Sequence, residues 1–430
     1  MNILFIVHRI PYPPNKGDKI RSFNEIKYLA QKHNIYLAFV VDSEKDLSHL
    51  DNLRRYCVDF DCDVIKPKWQ KFKSVPYLLS KKPLSVPYFY SKKLQMAIDR
   101  RLVEAKIDAI ICFSSPMAEY LFRSRTLEVR DVRNVRIEQA ERTNMSNEQS
   151  VQSSRPDFPR LIMDFVDVDS DKWRMYSSSS KFPFSTICKR EWKTLMSYEH
   201  KVGRAFDQSI FVSEKEVELF KCFCPESPAV SIPNGVDHEY FNSGEHTQSN
   251  KLKQQGQPNI LFMGAMDYFP NEDAVLYFCR EIWPLVKKRV PYAKFYVVGG
   301  NPPKRIKKLS EKDKNIVVTG FVSDVREYLM ISHVFVAPLR IARGIQNKVL
   351  EAMAAGVPVV ARPEAVQGLR TCHDYIRIEE SSERFASSIL AMIKAPLRSQ
   401  KVASDSRKYV QENYSWEKNL SLLERLLWRA

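Results

Sequence analysis

The chain of 430 residues has no CxxC pair, no GxGxxG after its first β-rich run, and no apolar run of the ~20 residues a membrane-spanning helix needs. The first absence argues against a zinc or thiol-redox site. Its eight cysteines, Cys57, Cys62, Cys112, Cys188, Cys222, Cys224, Cys279 and Cys372, show no metal-ligand spacing, and Cys112 sits inside the apolar run 110–113. They read as reduced core residues of a cytosolic protein. The second absence argues against a dinucleotide-dependent oxidoreductase, because residues 11–18 hold a single glycine. The third leaves only peripheral contact with a membrane. Residues 1–7 are apolar but short and lack a basic leader, so they read as a first strand rather than a signal peptide.

Charge is present in excess. The formal net charge of +16, with an isoelectric point near 9.3, calls for an acidic partner: nucleic acid, a phospholipid surface or a phosphorylated substrate. No recognised nucleic-acid module appears and the basic residues are spread over both halves, so nucleic acid is not expected as a partner. Non-catalytic binding of nucleic acid or another polyanion remains the rival class. Residues 66–93 interleave Lys66, Lys68, Lys71, Lys73, Lys81, Lys82, Lys92 and Lys93 with Trp69, Phe72, Tyr77, Leu78 and Leu79. Such a mixture suits an anionic bilayer surface, and a solvated loop is its plainer use.

The length favours two domains. Short β-rich runs alternate with helical periodicity, the pattern of βαβ units and parallel sheets. In the first half, strands are expected near 3–7, 35–41, 63–65, 109–113, 161–166 and 209–212, with helices near 20–31, 94–104, 191–205 and 215–220. A second series has strands near 259–263, 295–298, 316–318, 334–337 and 357–360, with helices near 272–289, 323–330, 345–355 and 383–394. The expected division is a first domain at 1–230 with a mobile insertion near 126–159, a connection at 231–258, a second domain at 259–412, and a C-terminal helix at 413–430. The fold class is α/β, two tandem doubly wound domains.

Residues 342–360 carry the strongest functional pattern. A buried strand precedes them, so the loop with Arg343 and Gly344 lies at a strand's carboxyl end, where open α/β sheets bind ligands. A helix starting near Ile345 offers unpaired amides to an anion. Helical spacing puts Lys348 and Glu351 on one face and Ile345, Val349 and Met353 on another. One ammonium then meets phosphate while one carboxylate meets ribose hydroxyls; the plainer alternative is an amphipathic helix with a surface ion pair. In the first half, Gly17 sits in a Pro-rich loop where its amide either approaches a ligand, aided by Arg21, or simply makes a βα turn. Asp167 and Asp169 follow a strand and either hold hydroxyls, chelate a metal or cap the next helix. A metal is not expected, because no further acid or histidine lies at telling spacing.

The tandem domains and four segments in order, Ile232-Pro233-Asn234-Gly235-Val236-Asp237, Val297-Val298-Gly299-Gly300, Thr319-Gly320-Phe321-Val322 and Leu350-Glu351-Ala352-Met353-Ala354-Ala355-Gly356, resemble the retaining GT-B glycosyltransferases of family 4 over nearly the whole chain. Pro11-Tyr12-Pro13-Pro14-Asn15-Lys16-Gly17-Asp18, Asp164-Phe165-Val166-Asp167-Val168-Asp169 and Ala337-Pro338-Leu339-Arg340 are similar to the PEP-CTERM/exosortase-associated sugar transferases of bacterial exopolysaccharide systems.

The resemblance implies two Rossmann-like domains facing across a cleft and a metal-independent hexosyltransferase without cofactor. It implies a cytoplasmic location, with peripheral contact at the inner membrane. Its partners would be a nucleotide-diphosphate sugar and a glycan or lipid-linked acceptor. It places Lys348, Arg343 and Glu351 in catalysis, Gly17, Gly299, Gly300, Val322, Gly344 and Asn347 around the donor, and Arg21, Asp167 and Asp169 on the acceptor side. A GT-B nucleotide-sugar epimerase is the nearer enzymatic rival. Two departures stand out. Arg343 occupies the position of the family's first acidic residue, and residues 264–270 lack the Arg and Lys that many relatives direct at the diphosphate.

Overall fold

The computed structural model describes residues 1–127, 158–241, 256–370 and 372–428. The expected insertion at 126–159 falls almost wholly outside them, as do residues 242–255 of the expected connection. The chain forms two compact units, residues 1–232 with 420–430, and residues 233–419. The first unit thus ends two residues later than the expected limit, and the chain re-enters it within its last helix.

In the first unit the strands are β1 (Asn2–Val7), β2 (Asn34–Val41), β3 (Asp59–Val64), β4 (Ala109–Phe113), β5 (Arg160–Val166), β6 (Gln208–Phe211) and β7 (Ala229–Ser231). All pairings are parallel, in the order β3-β2-β1-β4-β5-β6-β7. Helices α1 (Gly17–Leu29), α2 (Pro67–Ser74), α3 (Lys92–Glu104), α4 (Asp169–Ser179) and α5 (Phe184–Ala205) belong to the crossovers. The central strands are uninterrupted apolar runs because helices cover both faces of such a sheet; every residue of β4 is buried. Strand β3 begins four residues before its expected start. It alternates acidic and apolar residues at the sheet edge, and Asp59 and Asp61 are paired with Arg101 at 2.6 and 3.0 Å, which an apolar scan does not detect.

The second unit repeats the plan. Strands β8 (Asn259–Met263), β9 (Lys294–Val298), β10 (Ile316–Gly320), β11 (Val334–Ala337), β12 (Val359–Ala361) and β13 (Arg377–Ile378) form a parallel sheet in the order β10-β9-β8-β11-β12-β13. Helices α6 (Phe269–Tyr277), α7 (Asn347–Ala354) and α8 (Pro396–Asn413) flank it, and α9 (Trp416–Leu426) ends the chain's helical course. Helix α8 was not anticipated; its polar sequence buries only a narrow stripe, including Ala403, Tyr409 and Val410. Both sheets reverse strand order next to their first strand, between β1 and β4 and between β8 and β11. Doubly wound sheets open a crevice at that reversal, beyond the carboxyl ends of the two strands.

Candidate active site

At the second unit's switch point, β8 is followed by Gly264 and β11 leads through residues 338–346 into α7. The ammonium of Lys348, in the first turn of α7, donates to the side-chain oxygen of Asn271 in α6 and lies 5.0 Å from the centre of the Phe262 ring. Asn271 in turn donates to the Ala265 carbonyl at 2.9 Å, so α6, the post-β8 loop and α7 share one polar junction. Space there is made by glycine. A Cβ on Gly264 would stand 2.7 Å from the Asn271 amide nitrogen and 3.0 Å from the Lys348 ammonium, and a Cβ on Gly299 would stand 1.8 Å from the Gly264 carbonyl oxygen. Only residues without side chains let the ends of β8 and β9 close this tightly.

Helix α7 starts at Asn347, two residues after its expected start, and no side chain caps it. Its inner face, Val349, Leu350 and Met353, is buried in the core as helical spacing predicts. Lys348 and Glu351 are half-buried, with their ends deep enough that lost hydration governs their proton affinity. Burial draws the Lys348 ammonium down to about 8 against the pull of Glu351. Burial likewise pushes the Glu351 carboxyl up to about 7, with Lys348 opposing it. The two form no ion pair within 4 Å, and among the described residues the Glu351 carboxyl takes no hydrogen bond. The surface-ion-pair reading of this helix therefore does not hold. Both charged groups are kept in a poorly hydrated place at a sheet's ligand end, where perturbed groups most often mark function.

The neighbouring segments are firmly placed. Gln367 donates to the Ala342 carbonyl at 2.6 Å, and a Cβ on Gly368 would lie 2.3 Å from the Gly344 carbonyl oxygen, so the loop bearing half-buried Arg343 is tightly backed. Asn347 accepts from Asn234 at 2.9 Å, which ties α7 to the 232–237 turn. Arg340 is held by Asp273 and stacks 4.9 Å from the Tyr277 ring, so it does not stand free beside Lys348. Gly299 and Gly300 follow β9, and Val322 follows β10, all half-buried at the strands' carboxyl ends.

In the first unit the expected residues divide. Gly17 is the exposed first residue of α1. Asp18 beside it is half-buried. Despite the cost of burial, His8 at 3.1 Å and Arg9 at 3.0 Å hold its carboxyl below the usual range. Arg21 is a correction. It is wholly buried, donating to Asp164 and to the Ile232 carbonyl at 2.8 Å and pairing with Glu25 at 3.0 Å, so it is a core cation rather than an acceptor-side group. Asp167 and Asp169 are clasped by one ammonium, Lys172, at 2.8 and 2.9 Å. Asp169 begins α4 without serving as its cap, which Val168 occupies. Just before them Val166 has φ 68°, a conformation a β-branched residue rarely adopts, at the carboxyl end of β5. Glu199 is wholly buried: the Ser170 amide and hydroxyl donate to it at 3.1 and 2.5 Å, and burial pushes it up to about 8.

Residues 257–395 match the family model described as glycosyl transferases group 1. The match lies within the second unit. A curated protein of Klebsiella pneumoniae, described as an uncharacterized 44.6 kDa protein in the cps region, is 23% identical over 230 residues. The match spans 51% of this chain and 56% of that relative. Among solved structures, sucrose-phosphate synthase from Thermosynechococcus elongatus superposes with TM-score 0.69 at 15% identity, covering 99% of this chain and 98% of that one. The Anabaena protein HepE in complex with UDP-glucose superposes with TM-score 0.65 at 13% identity, covering 99% of each chain. These similarities show the GT-B fold.

The glycosyl transferases group 1 segment contains Lys348, Glu351, Gly299, Gly300 and also Asn271, which the sequence reading passed over. No local signal marked it, because its partner Lys348 lies 77 residues away. Elsewhere, His200, Cys224 and Glu226 bring three donor atoms within 4.8 Å of one another, but Arg204 claims the same Glu226 carboxylate at 3.3 Å.

Proposed function

We infer that the chain is a metal-independent hexosyltransferase that moves a sugar from a nucleotide-diphosphate donor to a glycan or lipid-linked acceptor with retention of configuration. We place it in cell-surface or exopolysaccharide synthesis of the PEP-CTERM/exosortase-associated kind. The observation that carries this reading is the fixed, half-buried Lys348 ammonium at the switch point of a glycosyl transferases group 1 domain. The UDP-glucose bound by HepE and the relative's place in a cps region support it.

Breaking a glycosyl–phosphate bond leaves charge on the departing diphosphate while the sugar becomes cationic. Cations and amide dipoles aimed beforehand at that charge stabilise the transition state, each often worth ~10²–10³ in rate. In this reading Lys348, Arg343 and the amides from Gly344 to Asn347 meet the diphosphate. Glu351 accepts from the ribose hydroxyls, and the backbone at Gly299, Gly300 and Val322 borders the base. Gly17 borders the donor, and Asp167 and Asp169 serve the acceptor side. The departing phosphate itself takes the acceptor's proton, so retention follows from attack on the same face without a dedicated base.

No helix among the described residues is long and apolar enough to cross a membrane. A cytoplasmic chain touching the inner membrane through residues 66–93 fits the lysines and exposed apolar side chains there. The test is a transfer assay with UDP-, GDP- and ADP-hexoses, reading diphosphate release and the anomeric proton of the product. The α-donor's configuration retained in a new glycosidic bond is expected. An inverted product, or an epimerised donor without transfer, contradicts the reading.

A further inference from the structure

The first unit carries two adjoining grooves, of about 790 and 610 Å³, that share Val64, Ile65, Lys66 and Trp69 as a common wall. The larger is walled mostly by carbon, from Val64, Ile65, Pro67, Trp69 and Phe72, with Asp42, Glu44, Lys66 and Lys68 also in its lining and Asp42 held by Arg9 at 2.9 Å. The smaller gathers Lys66, Lys73, Lys82, Lys92, Lys93 and Arg123.

The charge in the smaller groove is only partly neutralised, since Asp63 is the one acid in its wall and residues 64–98 contain no Asp or Glu. Lys82 and Arg123 share Glu119 at 3.1 and 2.6 Å, and Lys93 stands 4.0 Å from Asp63. Among the described residues, Lys66, Lys73 and Lys92 have no carboxylate partner. In the same wall Gln70, only 5% exposed, leaves its side-chain oxygen without a hydrogen-bond partner. A buried amide of this kind ordinarily has a partner.

The rim is apolar and firmly held. Trp69 and Phe72 stack 5.7 Å apart while remaining 55% and 67% exposed, and Leu79 is 97% exposed. Leu79 does not belong to a loose loop, because the Arg190 guanidinium collects the carbonyls of Tyr77, Leu78, Ser80 and Lys82 at 2.5–3.1 Å. Exposed aromatics on a rigid support beside a cationic hollow match a ligand that is anionic at one end and hydrocarbon at the other.

We propose that these grooves bind the phosphate head of a lipid, with the phosphate among Lys66, Lys73 and Lys92 and the chain along the carbon-walled groove past Trp69 and Phe72. The site deepens the lipid side of the proposed function and rests on that reading only for its biological ligand, since binding requires no donor sugar.

The test uses the whole chain in three arms: partitioning to phosphatidylcholine vesicles with or without phosphatidate, calorimetry with dihexanoyl phosphatidate, and calorimetry with inorganic pyrophosphate. Wild type is expected to prefer phosphatidate vesicles and to bind the short-chain lipid more tightly than pyrophosphate. Lys66→Ala/Lys73→Ala/Lys92→Ala is expected to weaken vesicle binding roughly 100-fold, with each cation near an anionic surface contributing about fivefold. Trp69→Ala/Phe72→Ala should weaken both lipid arms by about tenfold or more while sparing pyrophosphate. All five side chains are exposed; Lys92→Glu serves as a single-site check should a multiple variant fail to fold.

Pyrophosphate binding as tightly as the lipid would make this a soluble-phosphate site, and equal partitioning to pure phosphatidylcholine or unchanged binding by the variants would remove the site altogether. Sugar transfer without lipid binding overturns this proposal alone. Lipid binding without sugar transfer overturns the functional reading alone.

Discussion

The side-chain oxygen of Asn271 accepts a hydrogen bond from the Lys348 ammonium, 77 residues further along the chain. This contact joins the helix after β8 to the helix after β11, the two strands that flank the switch point. An ammonium on a four-carbon stem is otherwise free to rotate, and the amide fixes where its charge points before any ligand arrives. Lys348→Ala and Glu351→Ala are each expected to lower kcat/KM by ~100-fold or more, about 2.7 kcal/mol of transition-state stabilisation. Steady-state kinetics on folded variants checks this.

Asn271→Leu keeps the volume and removes the acceptor. With burial unchanged and no amide to accept from it, the ammonium is expected to deprotonate at lower pH than in the wild type. Donor affinity should fall roughly tenfold, as for a lost hydrogen bond to a charged group. The alkaline limb of activity should also shift to lower pH, which a purely structural role for Asn271 would not produce. Gly264→Ala should act similarly, because its Cβ would press on both partners.

The pH dependence follows from the two shifted groups. Lys348 is depressed from 10.5 to about 8, so what it adds to stability is present above 10.5 and lost as pH falls through 8. Glu351 is raised from 4.5 to about 7, so its share is present below 4.5 and lost as pH rises through 7. A bound diphosphate favours the charged lysine, so donor binding near pH 8 should take up a proton and weaken about tenfold per pH unit above it. Lys348→Arg, which stays charged, should abolish that alkaline weakening. Calorimetry in buffers of different ionisation enthalpy reads both effects.

Glu351→Gln should raise Tm above pH 7, because it removes a carboxylate that is costly to bury, while lowering transfer. A thermal melt paired with an activity assay separates the two outcomes.

The sheets were legible because their central strands, such as Ala109–Phe113 and Asn259–Met263, are unbroken apolar runs buried on both faces. Strand β3 and helix α8 were less legible, because alternating acids and a polar surface conceal their packing. Lys348 and Glu351 were visible from helical spacing on a loop rich in Arg and Gly. Arg21 was misread because its motif resembles a ligand loop, whereas its carboxylate partner Asp164 lies 143 residues away. Asn271 was invisible for the same reason: a hydrogen bond between distant helices leaves no local pattern.

The Arg21 cluster makes a stability prediction. Burial and the neighbouring Asp164 charge raise Glu25 well above the ordinary carboxyl range, while Arg21 balances Asp164. Arg21→Met should cost ~3–5 kcal/mol by leaving a buried carboxylate uncompensated. Glu25→Gln, which removes a carboxyl whose charged form burial disfavours and keeps its shape, should cost under about 1 kcal/mol. Denaturant melts of the two variants decide it.

The central claim, that Lys348 holds a nucleotide diphosphate at this switch point, is tested most directly by calorimetric titration of UDP, GDP and ADP into the wild type and Lys348→Ala. The expected result is one nucleotide binding at a single site in the wild type, with affinity reduced ~100-fold in the variant. Equal affinity in both proteins, or no binding of any of the three, would contradict it.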